Sequence, residues 1–106
     1  MVTTTAIKSE IDEILPGVIA DRRHFHENPE LAFQEFETAK IVASRLESLG
    51  VEDIRTGINI TGVTGLIRGT GTGPNADRVI LLRAYMDALP ILEENEVDYV
   101  SQNPGV

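Results

Sequence analysis

The sequence predicts an α/β fold, two N-terminal helices packed on the start of a mixed sheet, and three features of its 106 residues carry that expectation. Two stretches in the first half repeat their apolar residues every three or four positions, the spacing that lines one side of a helix. After Gly50 the period shortens, and residues 51–56, 62–68 and 78–84 read as strands. A composition of 42% apolar and 25% charged residues is that of an ordinary soluble globular protein, unlike disordered, collagen-like or membrane-spanning chains. At this length the chain is one domain or a piece of one.

The first helix is expected over residues 6–26, with Ile7, Ile11, Ile14, Leu15, Val18, Ile19 and Phe25 on a side built for a core. Pro16 removes a backbone donor and crowds the preceding turn, which predicts a kink or a break near residues 15–17. Pro29 ends the segment, because the residue before a proline is pushed out of the helical region. A second helix begins near Gln34, with Ala39, Val42, Leu46 and Leu49 along its core side and Gly50 as its left-handed stop. Glu35 and Glu37 fall in its first turn, where the helix dipole favours carboxylates.

Val79, Ile80, Leu81 and Leu82 form a continuous apolar run, which suits a strand covered on both faces in the middle of an α/β sheet. The glycine-rich stretch 69–77 reads as the turn joining strands 62–68 and 78–84 in an antiparallel pair. A phosphate loop does not fit it, since no Lys-Ser/Thr follows and a strand rather than a helix comes next.

Charge and residue inventory narrow the chemistry. Nine Lys and Arg against 17 Asp and Glu give a net charge of −8, which argues against nucleic acid or an anionic membrane as partner. With no cysteine there is no disulfide, thiolate zinc site or cysteine nucleophile, and two histidines supply all the imidazole. The opening Met-Val-Thr-Thr-Thr-Ala-Ile-Lys has neither the apolar core of a secretory signal nor a transit pattern, so a cytoplasmic location is expected.

His24 and His26 are two apart, and on a helix they point about 200° from each other. They read as one surface histidine and one that packs or caps at the helix end, with Arg22, Arg23 and Glu30 as ion-pair partners. The cluster Glu93-Glu94-Asn95-Glu96 reads as a solvated face rather than a metal cage. Asp87 is the best local candidate for a functional carboxylate. It follows the apolar strand directly, at the C-terminal end where open α/β sheets assemble their sites, although a turn-forming aspartate suits the position equally.

Taken together, residues 22–31 (Arg-Arg-His-Phe-His-Glu-Asn-Pro-Glu-Leu), Glu35, Thr38, Thr61-Gly62-Val63, Arg68-Gly69, residues 83–91 and the closing residues 99–106 resemble the metal-dependent aminoacylase and carboxypeptidase family, which includes hippurate hydrolase and indoleacetyl-amino-acid hydrolases. The resemblance implies that residues 1–106 are the N-terminal part of an amidohydrolase catalytic domain with a zinc-peptidase-like fold. It also implies a reaction: cleavage of the amide of N-acyl amino acids or small peptides by a water held between two divalent ions (Zn, Mn, Co or Ni), with a glutamate as general base. In the family the first metal ligands follow the closing Gly-Val pair, so no metal is expected on this chain alone. Asp87 matches a family aspartate that stands behind the metal ligands. Where the family branch has Arg-Ala-Asp-Met-Asp, this chain has Tyr85 in place of the first aspartate.

Two functional expectations follow. One is part of an amidohydrolase that is inactive alone. The other is a non-catalytic remnant or interaction module that pairs through an exposed sheet edge, with a copy of itself or with the remainder of the domain.

Overall fold

The computed structural model describes residues 2–106. They form two units, one from the residues up to Pro29 together with Pro90–Val106, the other from Glu30–Leu89. The class is α/β, as the sequence predicts.

The first unit is built on α1 (Thr4–Glu27). Thr3 caps its start, its hydroxyl accepting from the Ala6 amide at 3.2 Å. Asn28 closes its end, donating from both its main-chain and side-chain nitrogens to the His24 carbonyl. Helical structure runs unbroken through Pro16, so the expected division into two helices does not occur. The apolar side was expected to be buried and is not: Ile7, Ile11, Ile14, Leu15, Val18 and Ile19 stand between 40% and 61% exposed. No helix among the described residues is long and apolar enough to cross a membrane.

In the second unit α2 (Phe36–Ser48) packs on a two-stranded antiparallel sheet of β1 (Glu52–Ile58) and β2 (Gly62–Leu66). Its C-terminus is a Schellman closure: the Gly50 amide reaches the Glu47 carbonyl, the Val51 amide reaches that of Leu46, and Gly50 sits at φ +76°. That closure turns the chain at once into β1, which brings the helix onto the strands it precedes. At Gly65 a Cβ would lie 2.5 Å from the Val51 Cγ1 and 3.6 Å from the Leu46 Cδ1, so the bare glycine is what admits their side chains.

The register pairs Glu52 with Leu66, Arg55 with Thr64 and Ile58 with Gly62, so β1 carries one extra residue in each interval. Each interval contains a left-handed residue, Asp53 at φ +47° and Gly57 at φ +72°, the signature of a bulge that bends and twists the strand.

The antiparallel pair is therefore 52–58 with 62–66, and the expected pairing of 62–68 with 78–84 is corrected. Residues 78–84 form no strand and pair with neither β1 nor β2, with Val79, Ile80, Leu81 and Leu82 between 85% and 89% exposed. The physical reason lies in the run itself: apolar on every residue, it has no wet face, and a small hairpin supplies cover for at most one. The glycine-rich stretch closes as two short turns, Ala76 to Gly73 and Arg78 to Asn75. A parallel bridge joins Leu31 and Ala88 and ties this segment down at its end.

Candidate functional site

Among the described residues no hydrophobic side chain is fully buried, and the most buried ones are polar: Glu35, Thr38 and Thr61, at 6–7% exposure. Thr61 donates its hydroxyl to the Glu35 carboxylate at 2.7 Å, tying the start of α2 to the turn between β1 and β2. Glu30 accepts at one oxygen from the amide and hydroxyl of Thr38, at 2.5 and 2.6 Å, and at the other from the Glu37 amide at 3.1 Å. Burial alone would push the Glu30 carboxyl up, but the Thr38 hydroxyl and amide, with the amides of Glu37 and Phe36, hold it below the ordinary carboxylate value. It caps the helix from outside, in the place an N-cap side chain would take, because Glu35 itself makes no capping bond.

The same residue positions Asp87. The Ala88 amide donates to the Glu30 carbonyl at 2.8 Å, beside the Leu31–Ala88 bridge, so the chain carrying Asp87 is pinned one residue beyond it. Asp87 is exposed there. Tyr85 lies close by in sequence, its ring 4.3 Å beneath the Arg83 guanidinium. A shallow groove of about 780 Å³ runs along α2, with Phe36, Ala39, Ala43, Val51, Ile54 and Ile60 among its lining residues.

The first unit has its own polar centre. His26 Nε2 meets a Glu93 oxygen at 2.5 Å, and the other Glu93 oxygen accepts from the Ser101 amide at 2.6 Å. The Tyr99 ring stands edge-on to His26 and beneath the Arg23 guanidinium. The Gln102 amide donates to the Glu27 carbonyl, and the Asn103 side-chain amide to that of Pro29. His26 is thus the histidine that packs and His24 the exposed one, as the sequence suggests. The expected ion pairs are replaced, since Arg23 covers Tyr99 and Glu30 caps α2. Glu93 also departs from the expected solvated cluster: it is the anchor of this unit.

No family model matches the chain. The N-acyl-L-amino acid amidohydrolase of Geobacillus stearothermophilus is 43% identical over 104 residues, 98% of this chain and 27% of that protein. Thermostable carboxypeptidase 2 of Saccharolobus solfataricus is 42% identical over 101 residues, 94% of this chain and 24% of that protein. The crystal structure of the YxeP protein of Bacillus subtilis, a dinuclear metal-binding peptidase, matches with a TM-score of 0.75 and 39% identity, covering 89% of this chain and 25% of that one. The chain belongs to the M20 family of metal-dependent amidohydrolases and carboxypeptidases. It spans about a quarter of the length of these relatives.

The M20 metal pair does not fit the residues present. Among the described residues no group of three or more His, Cys, Asp or Glu could hold an ion. Nor are the nearest donors free, because the His26 nitrogen and both Glu93 oxygens are engaged with each other and with Ser101.

Sequence reasoning missed both polar centres as structural units. Glu35 and Thr61 lie 26 positions apart and His26 and Glu93 lie 67 apart, so no periodicity joins them. One signal was available for part of this set: Glu30, Glu35, Thr38 and Thr61 all belong to the motif by which the chain resembles its family.

Proposed function

We propose that this chain is the N-terminal part of the catalytic domain of an amidohydrolase that cleaves the amide bond of N-acyl amino acids or small peptides, working in the cytoplasm. The observation that carries the reading is 43% identity, over 98% of the chain, to an enzyme named for that reaction. In this reading the chain supplies scaffold, and its one candidate near the chemistry is Asp87. Two divalent metal ions and the general base come from elsewhere in the complete protein, so the 106 residues alone do not turn over substrate.

The test is to combine the chain with the remaining three quarters of the Geobacillus enzyme and follow hydrolysis of an N-acyl amino acid, with and without a chelator. Metal-dependent hydrolysis by the pair, absent from either part alone, is the expected result. Hydrolysis by the chain alone would overturn its assignment as scaffold.

A second reading, a non-catalytic remnant or interaction module that pairs through an exposed sheet edge, is favoured by the bare Val79 to Leu82 run and by Tyr85 at the family's aspartate position. Stable association without turnover in the same mixture would select it.

A further inference from the structure

We propose that Glu93 and His26 form a charge-dependent latch, which holds the closing segment around Tyr99 to Gln102 on the last turn of α1 and releases it when the carboxylate is neutralised, while the β1–β2 hairpin stays folded. This goes beyond the enzymatic reading and does not depend on it.

The closing segment has no helix or strand of its own, and it is held by a few named contacts. Two of them meet on one carboxylate: Glu93 joins the His26 imidazole on α1 to the Ser101 amide eight residues further along. The others lie close by, Gln102 on the Glu27 carbonyl, Asn103 on that of Pro29, and the Tyr99 ring between His26 and Arg23. Removing the Glu93 charge therefore weakens both ends of the bridge at once, since a carboxylate accepts such bonds far better than a neutral acid does. Segments fastened by few contacts open at low free energy, independently of the elements with regular ladders.

Among the described residues Tyr99 packs edge-on to His26 and carries the Arg23 guanidinium over its ring, while the Glu27 carbonyl holds the Gln102 amide beside them. The Ser101 amide first, and then His26 and Asn95, hold the Glu93 carboxyl below its ordinary value. A lowered acid holds its bonds above the ordinary carboxylate range and loses them as pH falls through its own, so the latch is closed at neutral pH and opens in acid.

Amide hydrogen exchange on the 106-residue chain, read residue by residue by NMR, tests this. In Glu93→Gln the Ser101 and Gln102 amides are expected to exchange at least about tenfold faster while the amides of β1 and β2 keep their wild-type protection. His26→Gln, which keeps a side-chain donor, gives a smaller increase at the same two amides. Acidification of the wild-type chain reproduces the pattern after correction for intrinsic rates. Unchanged exchange in Glu93→Gln, an equal rise in both regions, or a wild-type Ser101 amide with no protection would each overturn the latch.

Discussion

Within Glu30–Leu89 two regions bury the opposite of what their chemistry suggests. Glu35, Thr38 and Thr61, all polar, are the most buried side chains, while Val79, Ile80, Leu81 and Leu82, all aliphatic, are almost fully exposed. What separates them is where their partners come from. The polar trio, with Glu30, completes its hydrogen bonds from residues of this same unit, and a buried polar group that is fully paired is tolerated inside a protein. An all-apolar strand needs a neighbour on each edge and cover on each face, and nothing in this unit supplies them.

Thr61→Val leaves the buried Glu35 carboxylate without its hydroxyl and is expected to cost about 2–3 kcal/mol, near the top of the range for an orphaned group because this one carries charge. A urea titration followed by circular dichroism reads the loss, and an unchanged midpoint would show that the pair contributes nothing. Gly65→Ala follows: its new methyl sits 2.5 Å from a Val51 methyl, and repacking there costs roughly 1–2 kcal/mol, visible in the same titration.

A smaller effect comes from acid. Because the Glu30 carboxyl is lowered by the fold, its contribution is full above the ordinary carboxylate value and fades as pH falls through the lowered one. Urea midpoints measured across that range should fall on acidification, and Glu30→Gln should flatten the slope. The smallest change in stability is expected on the apolar side. Leu81→Lys, on an exposed residue, should shift the midpoint by no more than about 0.5 kcal/mol in free energy, yet it should abolish self-association of the chain in sedimentation runs. A wild-type chain that sediments as a compact, cooperatively melting monomer would count against self-association altogether.

These contrasts also mark what was legible in the sequence. The second helix, its Gly50 stop and the strand character of residues 52–58 and 62–66 all follow from spacing and turn chemistry, since the groups that decide them are neighbours in the chain. For residues 78–84 the apolar run was legible and its lack of a partner was not, because an all-apolar strand needs cover on both faces as well as an edge, and the hairpin offers cover for at most one. Glu93 looked like one of several solvated acids; its role depends on a histidine 67 positions away and an amide that no side-chain pattern announces. At Asp87 the sequence indicated the position, and the structure adds how it is held, through the Ala88 amide and the Glu30 carbonyl.

Glu30 uses its carboxylate on Thr38, eight residues away, and its carbonyl on Ala88, much further along the chain. Closing a short loop costs less entropy than closing a long one, so the two bonds are expected to form in that order during folding. The helix cap comes first, and it fixes the backbone of Glu30 before the distant segment arrives. Asp87 is then delivered to a prepared landing point, and its placement inherits the timing of a helix cap in which it takes no part.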